Sequence, residues 1–210
     1  MPSLALLQRD HEASPHLQAL IERSGRFDVI GLWHTVEEAR TALAVRRPEV
    51  LMTDLRVQDG DVTPLLRDLR LPMRPARPAQ PHVLVTLVSH DDQLLLDALR
   101  AGADGYWVHA GAPGLLVTTL EQLARGESPM TPTIARHLLG HFDREARRHP
   151  KGPFALTGTE RAILQQLAQG YLVDEIATTW HASVHSIACG VRRVYHKLQF
   201  DRRASGLSLA

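Results

Sequence analysis

Near the C-terminus, His185, Cys189, Arg192, Arg193 and His196 recur at spacings of three and four residues, with Ala188 beside them and Lys197 one residue on. On a helix these positions share one face. Small side chains there permit close approach, and long cations can pair with guanine edges or phosphate oxygens. The chemistry this suits is binding of double-stranded DNA through the major groove. Catalysis has less to stand on. The chain lacks a G-x-x-x-x-G-K-[ST] loop, a G-x-S-x-G elbow and an H-E-x-x-H pair, so no enzyme activity is expected. Cys189 is the single cysteine, which excludes a disulfide framework and a thiolate-rich zinc site. As a helix-face thiol it is expected to be a small side chain and not a redox sensor. The twelve histidines are scattered without a ligand pattern, so neither a metal nor another cofactor is expected.

Such a helix needs a scaffold. A chain of 210 residues, 44% hydrophobic, can bury two small cores. No apolar stretch reaches the roughly 20 residues of a membrane helix, and Leu4–Leu7 is too short for a signal peptide. The expectation is a cytoplasmic protein with no membrane partner. Formal net charge is +1, but acidic residues lead up to about Ala135 and basic ones afterwards, which makes the C-terminal part the polyanion binder. Lysine occurs only at Lys151 and Lys197.

Short β-branched or leucine-rich runs alternate with helical patterns through the first part, the signature of a parallel α/β sheet. Strands are predicted at Leu4–Leu7, Val29–Leu32, Val50–Thr53, Val83–Val88 and Tyr106–Val108. Helices fall between them, at His16–Arg23, Val36–Arg46, Val62–Leu69, Gln93–Arg100 and Gly114–Arg125. The proline-rich stretch Leu71–Pro81 reads as an extended loop. A linker helix is predicted over Thr131–His149, followed by a hinge at Pro150–Pro153.

Three helices complete the chain, at Thr159–Gln169, Val173–Trp180 and Val184–Leu198. Thr157 and Glu160 form a capping box before the first, Gly170 stops it, and Ser183 caps the third. Ile187, Val191, Val194 and Leu198 fall in one arc and are expected to meet Ile163, Leu167 and Ile176. The His181–Ser183 turn gives helix-turn-helix spacing. From Leu156 to Arg203 the segment resembles the LuxR-type (GerE-like) DNA-binding domain, through LT..E at Leu156–Glu160, LAQG at Leu167–Gly170, EIA at Glu175–Ala177 and KL at Lys197–Leu198. The resemblance implies base and phosphate contacts at His185, Ala188, Cys189 and Arg192; Arg193 and Lys197, further cations of the same helix, are expected to add to DNA binding. Three of the first four depart from the usual lysine-rich pattern, which weakens the phosphate term. Gly190 stands where the family carries a larger residue, and close approach to DNA or a partner is one reason for a mid-helix glycine.

The five βα units, Asp54 at the end of the third strand and AGADGY at Ala101–Tyr106 resemble the receiver domain of response regulators. Together with the C-terminal module the chain resembles the NarL/FixJ class. The implied fold is a five-stranded, doubly wound, flavodoxin-like parallel sheet (1–126), then the linker helix and hinge (127–153), then an all-α helix-turn-helix domain (154–210). The resemblance makes Asp54 the phosphoacceptor and calls for two acids binding Mg²⁺, a hydroxyl and a lysine around it. Here Asp10 is one acid, Arg9 replaces the other, Leu87 is counted at the hydroxyl position by its spacing to Tyr106 and His109, and His109 stands at the lysine position. Thr86 is expected to point to the opposite face. Arg9 is expected to pair with Asp10 or Asp54 in place of the metal, so that Asp10 and Asp54 are metal ligands only if Mg²⁺ is still bound. The expectation is a pseudo-receiver, controlled by homodimerisation or partner binding. Two alternatives are a protein-interaction adaptor whose helix-turn-helix no longer reads DNA, and a conventional regulator phosphorylated by a histidine kinase at Asp54. A shortened segment after Arg203 points to dimer contacts on the receiver or the linker helix.

Overall fold

The computed structural model describes residues 1–70, 80–87, 92–108, 113–148 and 155–206. The chain divides into two compact units, Met1–Arg125 and Gly126–Ala210.

In the first unit the strands β1 (Ser3–Leu7), β2 (Asp28–Trp33), β3 (Val50–Asp54), β6 (His82–Leu87) and β7 (Gly105–Val108) pair in the order β2-β1-β3-β6-β7. All four pairings are parallel. Leu4–Leu7, Val50–Met52 and Val83–Val85 are buried on both faces, as strands sandwiched between helices must be. The intervening helices are α1 (Ser14–Arg23), α2 (Val36–Val45), α3 (Thr63–Leu69), α4 (Asp92–Ala101) and α5 (Pro113–Ala124). One face of the sheet presents Leu4, Leu6, Met52 and Leu84 to Ile21 of α1 and to Leu116, Leu120 and Leu123 of α5. The five predicted strands and the five predicted helices are all present. A short hairpin, β4 (Arg56–Val57) with β5 (Gly60–Asp61), was not expected. From its turn Asp59 accepts hydrogen bonds from the Val36 (2.7 Å) and Glu37 (3.2 Å) amides and so caps α2 from outside. The proline-rich stretch at 71–79 and the hinge at 150–153 lie outside the described residues.

In the second unit α6 (Pro132–Arg148) packs on α7 (Gly158–Gln169) through buried Ile134, Ala135, Leu138 and Phe142. Arg136 donates to the Ala168 carbonyl at 3.0 Å, and Arg161 meets Asp143 at 2.6 Å. The helix predicted as a linker is therefore an integral part of the C-terminal unit: its amphipathic face is buried within that unit. Thr157 and Glu160 form the predicted capping box, and Gly170 adopts φ +101° at the end of α7, a conformation that favours glycine. Helices α8 (Val173–Thr179) and α9 (Val184–Gly206) follow, with the Ser183 hydroxyl capping α9 through the Ser186 amide at 3.1 Å. Helix α9 does not stop at Leu198. Neither glycine nor proline occurs between Val191 and Ser205 to break it. Ile187, Val191, Val194 and Leu198 are buried, as predicted, along with Ile163, Leu167 and Ile176. Gly190 has a local reason as well: a Cβ there would collide with Ile163 Cδ1 of α7. The close approach it permits is between two helices of one unit, not with DNA or a partner. Among the described residues no helix is long and apolar enough to cross a membrane.

Candidate phosphorylation pocket and nucleic-acid interface

The first candidate site lies where β1 and β3 end. In parallel register Leu7 stands beside Thr53, and Asp54 beside Thr86. Registered residues of adjacent strands project to the same side, so Thr86 shares the face of Asp54 and of Leu84 two residues earlier. Its hydroxyl donates to Asp54 Oδ1. The expectation for this strand is thus reversed. Thr86 supplies the hydroxyl, and Leu87, one residue on, points to the other face and is buried at 6% exposure. Counting back from Tyr106 carried the position one residue too far along the strand.

Asp54 Oδ2 accepts the Arg9 backbone amide at 2.9 Å. The Arg9 guanidinium is exposed and makes no ion pair with Asp10 or Asp54 among the described residues, so the predicted charge pair is replaced by a main-chain contact. Asp10 turns toward its own chain. Its Oδ1 accepts the amides of Glu12 (2.8 Å) and Ala13 (3.2 Å) at the entrance to α1. Those two hydrogen bonds, Ala13 first, hold the Asp10 carboxyl below the usual range, against a smaller opposing effect of desolvation. His109 lies outside the described residues. Beside the pocket the His34 ring contacts the Gln8 carbonyl at 2.9 Å through Nδ1, which must carry the proton to donate, and the His11 ring stacks on it with centroids 3.6 Å apart.

The second candidate site is the outer face of α9. His185 is exposed, with Nε2 3.4 Å from Cys189 Sγ, and Cys189 is half-buried. Arg192 is half-exposed and Arg193 exposed. Two predicted contacts fall elsewhere. Ala188 is buried at 5% exposure, since it lies one residue after Ile187 and three before Val191, inside the core arc. Lys197 turns inward. Its Nζ donates to Glu160 Oε2 at 2.6 Å and to the Ala155 carbonyl at 2.8 Å. Glu160, buried at 2% exposure, also accepts the Thr157 amide at 2.8 Å and faces Arg193 Nε at 3.7 Å. This carboxylate, read in sequence only as a cap, ties the start of α7 to α9.

Both units have full-length relatives. No family model matches the chain. It is 29% identical over 203 residues to the DNA-binding transcriptional activator DevR/DosR of Mycobacterium tuberculosis, covering 96% of this chain and 90% of that protein. It is 25% identical over 194 residues to the nitrate/nitrite response regulator protein homolog of Haemophilus influenzae, covering 92% and 88%. It has the receiver-plus-helix-turn-helix organisation of the NarL-type response regulators. In fold, the chain is similar to RcsB, solved as two dimers bound to two parallel DNAs, with a TM-score of 0.55, 19% identity and coverage of 94% and 96%. Its first unit carries the sheet order β2-β1-β3-β6-β7 with Asp54 at the end of β3, and its second unit carries the α8–turn–α9 segment.

Proposed function

We propose that this chain is a DNA-binding transcription regulator that acts as a homodimer and whose receiver works without Mg²⁺-dependent aspartyl phosphorylation. The observation that carries the DNA reading is the exposed face of α9, where His185, Arg192 and Arg193 project from the second helix of a helix-turn-helix, the element that enters a major groove. The names of the DevR/DosR and RcsB relatives agree with it. With Ala188 buried and Lys197 committed to Glu160, few cations remain, so the phosphate term is small and dimerisation makes up the affinity.

The surroundings of Asp54 support the second half. Mg²⁺ prefers six oxygen ligands in near-octahedral array. Here a cationic residue occupies one acid position, Asp10 is turned onto the α1 amides, and each Asp54 oxygen already accepts a donor, from Thr86 or from Arg9. These residues do not fit the ion. Control then passes to association, with a second copy or with another regulator.

Binding to a random-sequence duplex across a salt series tests the DNA reading. The full chain is expected to lose affinity log-linearly with salt, and Arg192→Ala with Arg193→Ala is expected to flatten the slope by about one unit for each phosphate contact removed. A flat salt response of the parent protein would identify a protein-binding adaptor instead.

A further inference from the structure

The crevice that does not fit magnesium has the features of a different site. In the order β2-β1-β3-β6-β7 the chain reverses direction across the sheet between β1 and β3, and doubly wound sheets bind ligands outside the carboxyl ends of the strands at that point. An open cleft of about 740 Å³ lies there, lined by Gln8, Arg9, Asp10, Ala13, Ser14, Leu17 and Asp54. That volume is within the roughly 300–1,000 Å³ of small-molecule sites.

The lining is mixed in charge. Arg9 is among the lining residues, and its guanidinium has no hydrogen-bond or ion-pair partner among the described residues. Asp10 commits Oδ1 to the Glu12 and Ala13 amides, and Oδ2 has no partner among the described residues. Ala13 and Leu17, four residues apart at the start of α1, form an apolar wall. A simple anion on Arg9 would meet the carboxylates of Asp10 and Asp54, and a simple cation on Asp10 would meet Arg9. A molecule carrying both charges satisfies each side.

We propose that this cleft binds a small zwitterion of the α-amino acid class, with its carboxylate on the Arg9 guanidinium, its ammonium on Asp10 and an apolar side chain against Ala13 and Leu17. The proposal rests on the reading of a receiver that takes no phosphoryl group, and it gives that receiver an input.

The test uses the full chain with the proteinogenic α-amino acids as probes, first by thermal shift and then by calorimetry, with neither Mg²⁺ nor a phosphodonor present. At least one apolar amino acid is expected to raise the unfolding midpoint. Its decarboxylated amine and its deaminated acid are each expected to bind at least tenfold more weakly. Arg9→Ala, which keeps the backbone amide that Asp54 accepts, is expected to leave the unliganded midpoint unchanged and to weaken binding at least tenfold. Leu17→Asp is expected to abolish the preference for an apolar side chain. Three results would overturn the proposal: no amino acid shifts the midpoint, Arg9→Ala binds as the parent does, or inorganic phosphate binds where no amino acid does. A phosphoryl adduct on Asp54, measured separately, would defeat the reading on which the proposal rests without altering these binding curves, so the two failures are distinguishable.

Discussion

Lys197→Met is expected to destabilise the C-terminal unit by about 3 kcal/mol at neutral pH, in the range for breaking a buried ion pair. Glu160 is 3% exposed at its side chain, and Lys197 lies 2.6 Å from it. Removing the ammonium leaves a buried carboxylate with the Thr157 amide and an arginine at 3.7 Å, so the cost falls at the lower end of that range. The pH dependence separates this mechanism from loss of packing. In the parent, burial pushes the Glu160 carboxyl up, but hydrogen bonds from Lys197 and Thr157 more than offset it and hold the group below the usual glutamate range. A depressed folded pKa contributes stability that is present above the unfolded value and lost as pH falls through the folded one. In the variant burial acts without the ammonium, so the folded pKa rises and protonation in mild acid removes the buried charge. The deficit against the parent is therefore expected to shrink as pH falls from 7 toward the ordinary 4.5 of glutamate. Urea denaturation at several pH values, with hydrogen exchange of α7 and α9 amides reporting on this unit, measures it. A deficit equal at all pH values would contradict the assignment.

Gly190→Leu is expected to cost about 2 kcal/mol, typical of overpacking a tight contact. The side chain would enter the space of Ile163 Cδ1 on α7. Gly190→Ala should fall near neutral, since a terminal methyl can move aside and alanine recovers about 1 kcal/mol of helix propensity. The pair Gly190→Leu with Ile163→Ala is expected to lose less than the sum of the single losses in denaturant titrations, which makes the coupling measurable as a double-mutant cycle. Additive losses would mean that the glycine serves something other than the α7–α9 crossing.

The contrast between what sequence showed and what it did not follows from the range of each signal. Strands and helices of both units were legible because hydrophobic period and caps are local, as at Thr157, Glu160, Gly170 and Ser183. The side-chain surroundings of Asp54 were not, because they depend on lateral register. Alternation from Leu84 would have placed Thr86 on the Asp54 face, whereas counting back from Tyr106 depended on the length of the loop and helix between. That Arg9 meets Asp54 through its amide and not its guanidinium depends on backbone direction at a strand end, which residue type does not encode. Lys197 read as a DNA contact because its partner, Glu160, is 37 residues away. Helix α6 showed its apolar stripe in sequence, but periodicity alone does not say which unit a stripe packs on.

Incubating the full chain with acetyl phosphate and Mg²⁺ and reading the intact mass, with Asp54→Asn as control, shows whether Asp54 accepts a phosphoryl group. The surroundings of Asp54 predict no phosphoryl adduct in either protein, because a cation stands where a metal-binding acid is needed and loss of that ligand removes several kcal/mol of charge stabilisation at the transferring group. A labile adduct that forms efficiently on the parent and is absent from Asp54→Asn would contradict that prediction.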